Sequence, residues 1–275
     1  MERNKIETLA REFLSARESG QMAATLPSAH EGFDLDAAYE IEAEIKRARE
    51  TAGARAVGRK VGYANKAMWR VFKLPTLVWG HMYDDTVHYS EGNTAALTLP
   101  HARSLKVEPE IVFGLKGAIP EGADARAALQ ATDWLAIGFE IIDCPFPGWK
   151  FQPGDFVASL GLHAALIVGQ PMPVLPDSIE MLLEDLPKIR VRVSKNGEFV
   201  EEGTGKNSLG NPALCLAELS SAILRRSPNE PLSAGEIVSS GTLTAGHPAD
   251  GDYTWTVEVA GLPLAPLSLH LNRLL

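Results

Sequence analysis

The sequence predicts an α+β fold in which a helical N-terminal subdomain, residues 1–55, precedes a β-rich catalytic body, residues 56–275. Apolar residues recur at helical spacing through the first 55 residues. After residue 55 the chain changes to short β-like runs separated by Gly and Pro. The chain has no regular βαβ alternation and no Gly-rich phosphate loop, so neither a Rossmann domain nor a P-loop is supported.

Two helices are predicted in the N-terminal layer. In "KIETLAREFLSARES" the apolar positions fall on one helical face. The segment "DLDAAYEIEAEIKRARETAG" follows the same pattern, with Asp34 or Asp36 as a suitable N-cap and Gly53 as the stop. The intervening "ATLPSAHEGF" is expected to be a loop.

The β-like runs of the body carry two further signals. Asn196-Gly197 lies between β-forming flanks and predicts a hairpin. Pro212 suits a first helical position and predicts one helix over "NSLGNPALCLAELSSAILRR". The runs expected to form strands are "AVGRKVGY", "KVEPEIVFGL", "WLAIGFEIID", "FVASLGLHAALIVG", "KIRVRVSKNGEFV", "EIVSSGTLTA" and "YTWTVEVAGLPLAPLSLHL".

The net charge, the apolar runs and the cysteines of the chain limit the partners and the cellular location that we expect. The formal net charge is −9, which argues against a nucleic-acid partner. No apolar run approaches the roughly 18 residues of a membrane span. The N-terminus lacks the apolar core of a signal peptide, and the two cysteines, Cys144 and Cys215, suggest reduced thiols. We expect a cytoplasmic protein with a small-molecule substrate and neither a nucleic-acid nor a membrane partner.

Two glutamates on one predicted strand form the first candidate site. In "LKVEPEIVFGL", Glu108 and Glu110 are two positions apart and project from the same face. Their flanks are apolar, so both charges would leave water and repel unless one is protonated or a positive partner is present. A divalent ion such as Mg²⁺ or Mn²⁺ prefers oxygen ligands and satisfies both at once. The alternative is a strand with one wet face.

A third acid strengthens the metal hypothesis. "AIGFEIID" places Glu140 inside another apolar strand, with Asp143 three residues later. Either one would complete a three-carboxylate site, although Asp143 is better suited to cap the strand end or support the site. No His or Cys cluster competes for the ion.

Lysine and aspartate side chains are candidates for proton transfer. Lys60 lies in the Gly-flanked apolar strand "GRKVGYAN", where a buried lysine is costly and its pKa shifts readily. It would neutralise the acids, hold a substrate carboxylate or move a proton, unless it snorkels from a strand edge. Asp84 and Asp85 in "VWGHMYDDTV" form either a turn or cap, or part of the site.

Two further segments have a structural and a functional interpretation each. "SSGTLTAGHPADGD" offers backbone N–H groups and the hydroxyls of Thr242 and Thr244 to an anionic group, or it forms a tight turn. His163 in "ASLGLHAAL" is either a core histidine with satisfied hydrogen bonds or an acid or base with a pKa near neutrality.

Six ordered motifs carry a family resemblance. They are "GRKVG", "DD" after "VWG", "VEPEIVFGL", "GFEIID", "GNP" before a helix, and "SSGTLT". In this order, and over nearly the whole chain, they resemble the 2-keto-4-pentenoate hydratase/4-oxalocrotonate decarboxylase branch of the fumarylacetoacetate hydrolase superfamily. The resemblance implies a mixed β-sandwich or roll body behind the helical layer, and a homo-oligomer.

The same resemblance implies an assignment of the site. Glu108, Glu110 and Glu140 would bind Mg²⁺ or Mn²⁺. Lys60 and Asp85 would be catalytic, and His163, which the family pattern does not supply, is added as a catalytic candidate from its own position in an apolar strand. Asp84, Gly241 and Thr242 would contact the substrate, the last two at its carboxylate.

The implied reaction is metal-assisted chemistry on a 2-oxo acid. The expected function is a hydratase, a lyase acting on a 2-hydroxy-2,4-dienoate or 2-oxo-enoate from aromatic meta-cleavage catabolism. The alternatives are a decarboxylase of a 4-oxalocrotonate-like acid and an acylpyruvate C–C hydrolase. One segment departs from the pattern, because Leu160–His163 stands where the hydratases usually have polar residues. His163 then either replaces a serine-like group or accompanies a different reaction.

Overall fold

Helices and strands alternate irregularly along residues 1–272, which the computed structural model describes. The helices are α1 (Arg3–Ser19), α2 (Leu35–Thr51), α3 (Lys66–Phe72), α4 (Ala125–Gln130), α5 (Pro153–Ala158), α6 (Ile179–Asp185) and α7 (Pro212–Arg226). The first strands are β1 (Ala56–Gly62), β2 (Val78–Tyr83), β3 (Val87–Tyr89), β4 (Thr94–Thr98), β5 (Leu105–Leu115), β6 (Thr132–Asp143) and β7 (His163–Val168). The remaining strands are β8 (Met172–Pro173), β9 (Arg190–Lys195), β10 (Glu198–Thr204), β11 (Ile237–Thr242), β12 (His247–Pro248), β13 (Tyr253–Ala260) and β14 (Leu267–Asn272).

The strands form two mixed sheets. The larger has nine strands in the order β2-β1-β11-β5-β6-β7-β3, with β12 paired to β5 and β8 paired to β6. The smaller has five strands in the order β10-β9-β13-β14-β4. Parallel pairs such as β1 with β11 occur beside antiparallel ones such as β5 with β6. The predicted α+β fold with a β-rich body is confirmed.

The N-terminal helices form as the sequence predicts. Asp34 is the N-cap of α2 and accepts a hydrogen bond from the Ala37 N–H at 2.8 Å. The helix ends at Thr51, and Gly53 follows with a positive φ of 99°. Helix α2 packs against both α1 and α5, so it contacts the body directly. The division into a subdomain 1–55 and a body 56–275 therefore stays a prediction.

Two local predictions in the body are confirmed. Asn196 and Gly197 both have positive φ and join β9 to β10 as a hairpin. Pro212 is the first residue of α7, which Asn211 caps by accepting from the Ala213 N–H.

The prediction of one continuous strand over "FVASLGLHAALIVG" is wrong for its first half. Helix α5 and a 3-10 turn at Leu160–Leu162 precede β7. Both halves are almost wholly buried, so the apolar run shows no helical periodicity. The short helices α3, α4 and α6 were not predicted either.

The cysteines and the helices have two further features. Cys144 and Cys215 are free and buried. Among residues 1–272, no helix is both long enough and apolar enough to cross a membrane.

Candidate metal and substrate site

Strand register brings the three predicted glutamates together. Glu108 on β5 lies directly opposite Glu140 on β6, and Glu110 follows two residues further along the same face of β5. One carboxylate oxygen from each of the three lies within 4.8 Å of the others. Glu110 and Glu140 are completely buried. Acids from two neighbouring strands thus converge on one point.

Lys60 on β1 is the positive partner of this cluster. Its Nζ lies 3.0 Å from Glu140 Oε2 and donates a hydrogen bond to the Gly161 carbonyl at 3.0 Å. Gly161 has a φ of 63°, and a Cβ there would lie 2.6 Å from Lys60 Cδ. A glycine is therefore required for the 3-10 turn to approach the lysine.

Strand β11 binds one side of Glu110. The Ser239 hydroxyl and the Gly241 N–H donate to Glu110 Oε2 at 2.5 and 2.7 Å. Gly241 has a φ of 90°, which turns its N–H toward the carboxylate. The other oxygen, Glu110 Oε1, is buried without a hydrogen-bond partner. A buried oxygen of this kind is costly unless a ligand satisfies it.

The electrostatics follow from burial and mutual repulsion. Desolvation raises the pKa of Glu108 to about 7, and Lys60 only partly offsets it. Desolvation and the charges of the other two acids raise the pKa of Glu110 well above its usual value. Burial would also raise the pKa of Glu140, but Lys60 and His163 hold it below the ordinary value. Without a cation, ionisation of Glu108 and Glu110 is therefore unfavourable.

These residues fit a hard divalent ion. The donor atoms are all carboxylate oxygens, the set that Mg²⁺ and Mn²⁺ prefer. Glu110 Oε1 and Glu140 Oε2 accept no hydrogen bond, although Glu140 Oε2 is ion-paired with Lys60. Both oxygens are therefore available to a cation.

A cavity of about 560 Å³ borders the cluster. Glu108, Glu110 and Lys60 are among the residues that line it. Aromatic and aliphatic side chains form much of the remaining wall, among them Tyr63, Phe72, Ile142, Trp149, Phe151 and Phe156. The cavity wall thus combines charged side chains with aromatic and aliphatic ones.

Comparison with known proteins assigns the family. No protein-family model matches the chain. The chain is 28% identical over 258 residues to the 2-hydroxyhexa-2,4-dienoate hydratase of Comamonas testosteroni, covering 94% of each protein. It is 30% identical over 226 residues to the 4-oxalocrotonate decarboxylase of Pseudomonas sp. (strain CF600), covering 82% of this chain and 81% of that one. The chain belongs to the fumarylacetoacetate hydrolase superfamily, in its 2-keto-4-pentenoate hydratase/4-oxalocrotonate decarboxylase branch.

A solved structure supports the fold of this hydratase/decarboxylase branch. The 4-oxalocrotonate decarboxylase of Pseudomonas putida G7, complexed with magnesium and adipate, superposes with a TM-score of 0.87. The two chains are 25% identical, and the match covers 98% of each. The expected superfamily-type body behind a helical layer is thereby confirmed.

The predicted aspartates lie elsewhere in this member of the branch. Asp85 is exposed and pairs with Arg49 at 2.6 Å. The Asp84 carboxylate accepts from the Arg55 N–H at 3.0 Å. Neither lines the cavity. The geometry matches the turn-and-cap alternative, and the predicted roles of Asp85 in catalysis and of Asp84 in substrate binding stay predictions.

His163 lies behind the carboxylates and does not line the cavity. Its Nδ1 is 3.0 Å from Glu140 Oε1, and its Nε2 is 3.0 Å from the Thr86 hydroxyl. Burial lowers the pKa of His163 below its ordinary value. Its contacts are therefore to a carboxylate of the cluster, which differs from the direct catalytic role that the sequence predicted.

Gly241 and Thr242 do line the cavity, but their polar groups are already engaged. The Gly241 N–H donates to Glu110, and the Thr242 hydroxyl donates to the Thr244 carbonyl at 3.0 Å. Their predicted contact with a substrate carboxylate stays a prediction. Asp143 accepts from the Arg103 and Ser104 N–H groups and caps the strand end, as predicted.

Several residues at the site were not predicted from the sequence. Ser239 lies in the "SSGTLT" motif, whose hydroxyls were noted without a partner. Lys106 lies two residues before Glu108, just as Glu110 lies two residues after it. This spacing places Lys106 on the same strand face as the two glutamates. Thr86 and Trp149 carry no local signal, because only tertiary packing brings them to the site.

Proposed function

We propose that this chain is a divalent-metal-dependent hydratase, a lyase that acts on a 2-hydroxy-2,4-dienoate or 2-oxo-enoate from aromatic meta-cleavage catabolism. The observation that carries the proposal is the convergence of three carboxylates beside Lys60, where Glu108, Glu110 and Lys60 line a cavity whose wall is largely aromatic and aliphatic. The relatives named as dienoate hydratases support the reaction class.

The chain's own residues account for binding and proton handling. Glu108, Glu110 and Glu140 would hold Mg²⁺ or Mn²⁺, which supplies Lewis acidity toward the substrate's 2-oxygen when bound. Lys60 borders the cavity and would hold a proton at Nζ for transfer to or from the substrate carbon chain. Phe151 and Phe156 would cover that chain and exclude bulk water, leaving one water molecule to add.

Decarboxylation of a 4-oxalocrotonate-like acid is the second candidate. It is favoured by the 30% identical relative and by the solved decarboxylase that superposes over 98% of the chain. Both reactions would use the Lewis acidity of the ion toward the 2-oxygen. Hydration adds water to a carbon–carbon double bond, whereas decarboxylation breaks a carbon–carbon bond and releases CO₂. The acylpyruvate hydrolase alternative would need a His–carboxylate pair facing the cavity, and the His163–Glu140 pair does not present its imidazole there.

The experiment follows one substrate for each reaction. Purified protein with 2-hydroxypenta-2,4-dienoate and Mg²⁺ should lose the dienol absorbance and yield 4-hydroxy-2-oxopentanoate. Release of CO₂ from 2-oxohex-3-enedioate without that hydration would instead establish the decarboxylase. Absence of both reactions with Mg²⁺ and with Mn²⁺ would overturn the proposed function.

We further propose a cytoplasmic homo-oligomer. The support is the resemblance to the branch and the two free, buried cysteines. Light scattering coupled to gel filtration tests the assembly, and a monomer over the concentrations used in the assay would contradict it.

A further inference from the structure

Arg17 lies in the last turn of α1 and reaches the strand that carries His163. Its Nη1 donates to the His163 carbonyl at 2.5 Å, and its Nη2 donates to the Ala164 carbonyl at 3.3 Å. Both carbonyls belong to β7, far along the chain from α1. Within residues 1–272 Arg17 forms no ion pair, so these two carbonyls are its polar partners. The helical layer thus contacts the strand behind the carboxylate cluster directly.

The two carbonyls lie at an irregularity in the pairing of β6 with β7. Ile141 lies opposite Ala165. Ile142, the next residue of β6, lies opposite His163. Ala164 is therefore the extra residue of a β-bulge, where the regular hydrogen bonds of the ladder are interrupted and the neighbouring side chains change direction. The guanidinium supplies donors at this interruption and so fixes the local backbone.

The residues next to the bulge support both members of the Lys60–Glu140 ion pair. The His163 imidazole lies 3.0 Å from Glu140 Oε1. Two residues earlier, the Gly161 carbonyl accepts from Lys60 Nζ at 3.0 Å. A change in the backbone at the bulge would move both supporting groups, because both lie close to it along the chain. The positions of one candidate metal ligand and of the cavity lysine therefore depend on this short segment.

The arginine is held there at an electrostatic cost. Desolvation, together with the charges of Arg49 and Arg103, lowers the pKa of Arg17 to about 10. The guanidinium therefore stays charged at neutral pH, although no carboxylate within residues 1–272 pairs with it. A desolvated cation of this kind is unfavourable unless its hydrogen bonds are used. The two carbonyls that it binds explain its presence better than the stability of α1 does.

We propose that Arg17 is a positioning residue for the metal and proton-transfer site. It fixes the β-bulge at Ala164. The fixed bulge keeps His163 against Glu140 and the preceding 3-10 turn against Lys60. The N-terminal helical layer then contributes to ion binding, although Arg17 does not line the substrate cavity. The inference rests on the ion site of the proposed function, and it applies to hydration and to decarboxylation alike.

Variants of Arg17 test the proposal through the affinity for the ion. In Arg17→Met, which removes the donors, calorimetry should show about 5- to 20-fold weaker Mg²⁺ binding, because Glu140 loses part of its support. Arg17→Lys keeps a charged donor and should bind Mg²⁺ within about twofold of the wild type. If Arg17→Met does not fold, Arg17→Gln replaces it, because its shorter side chain cannot reach both carbonyls.

A second readout follows the imidazole itself. In the metal-free protein, the ¹⁵N NMR signals of the His163 ring depend on its contact with Glu140, and their loss in His163→Leu assigns them. They should shift in Arg17→Met, because the ring moves with the bulge. In Arg17→Lys they should return toward their wild-type positions. A general loss of stability would not move these signals selectively.

Two control variants separate positioning from stability. Arg11→Met changes an exposed arginine on the same helix, whose guanidinium donates to the Thr8 hydroxyl at 3.3 Å. His81→Leu removes a buried contact with Glu42 that lies outside the substrate cavity. Both should keep the wild-type Mg²⁺ affinity and the His163 signals, whatever their effect on Tm.

The outcomes that contradict the proposal are distinguishable. Wild-type Mg²⁺ affinity in Arg17→Met, or in Arg17→Gln where it replaces that variant, would overturn the inference and leave the proposed function intact. Weaker Mg²⁺ binding with unshifted His163 signals, or an equal loss of affinity in Arg11→Met, would also overturn it. Failure of the wild type to bind Mg²⁺ would overturn the ion site of the proposed function together with the inference.

Discussion

At the residue scale, Glu110 is expected to lower the stability of the metal-free fold and to serve as an ion ligand. It is completely buried, and Oε1 has no hydrogen-bond partner. Glu110→Gln keeps the shape and one carbonyl oxygen for Ser239 and Gly241, and it removes a repelling charge. We expect the metal-free variant to be more stable than the wild type by about 1–2 kcal/mol at neutral pH. Its Mg²⁺ affinity should be at least about tenfold lower.

Chemical denaturation with EDTA and calorimetric titration with Mg²⁺ measure the two effects. The exposed Glu198→Gln is the control and should change neither. A Glu110→Gln protein that binds Mg²⁺ as tightly as the wild type would remove Glu110 from the ion site.

His163 is the residue whose interpretation changes most between sequence and structure. Its imidazole links Glu140 to Thr86, each at 3.0 Å. We expect His163→Leu to lower Mg²⁺ affinity about 10- to 100-fold, because Glu140 loses the group that orients it. Stability should fall by about 1–3 kcal/mol, the cost of an unsatisfied buried acceptor.

A second buried histidine supplies the control for His163. His81 contacts Glu42 at 2.5 Å and does not line the substrate cavity, so His81→Leu should lose comparable stability and keep its Mg²⁺ affinity. If His163→Leu lowers kcat and keeps its Mg²⁺ affinity, His163 acts on the substrate, as the sequence first suggested.

At the scale of elements, the 3-10 turn at Leu160–Leu162 positions Lys60. In Gly161→Ala the backbone would be strained at φ 63° and the new methyl would collide with Lys60 Cδ. We expect a loss of about 1–3 kcal/mol in stability and a strong loss of turnover as the amine moves from Glu140.

Thermal denaturation and steady-state kinetics test this expectation against Gly197→Ala. Gly197 also has a positive φ, 83°, but a Cβ there meets no atom within 4 Å. Strain alone should therefore lower its stability and leave turnover intact. Equal turnover in the two variants would mean that the turn does not position Lys60.

Elements with a strong local signal could be predicted from the sequence. The N-cap of α2, the Asn196-Gly197 hairpin and Pro212 at the start of α7 depend on side chains within a few residues. Helix α5 and the turn after it could not be predicted in this way. Their apolar residues are buried on all sides, so tertiary packing and not periodicity decides the conformation.

At the scale of the whole molecule, strand order decides which predicted residues meet. The three glutamates could be grouped from the sequence because each interrupts an apolar strand. That β11 lies between β1 and β5 could not be predicted, and this order brings Ser239 and Gly241 to Glu110. The same long-range packing leaves Asp85 paired with Arg49 outside the cavity. A motif identifies residues, whereas topology decides their contacts.

The stability of the whole chain should depend jointly on pH and metal. In the metal-free fold the pKa of Glu108 is about 7 and that of Glu110 is also raised, so above about pH 4.5 these two carboxyl groups bind more protons in the folded chain than in the unfolded one. These two groups therefore make folding less favourable as pH rises through about 7. A bound ion requires both carboxylates ionised and removes this penalty. The increase in Tm on adding Mg²⁺ should be small near about pH 5 and grow toward about pH 8.

Differential scanning fluorimetry with excess MgCl₂ or EDTA measures this increase, expected to reach about 5–10 °C when the ion is about 100-fold above its Kd. Burial lowers the pKa of His163, which stabilises the fold as pH rises, in the opposite direction to the two glutamates. The Tm measured in EDTA is subtracted from the Tm measured in MgCl₂ at each pH. The part of the His163 contribution that is the same in both conditions then cancels. Glu108→Gln/Glu110→Gln should show no increase in Tm at any pH. A wild-type increase that is the same near about pH 5 and about pH 8 would show that the ion does not displace protons from these carboxylates.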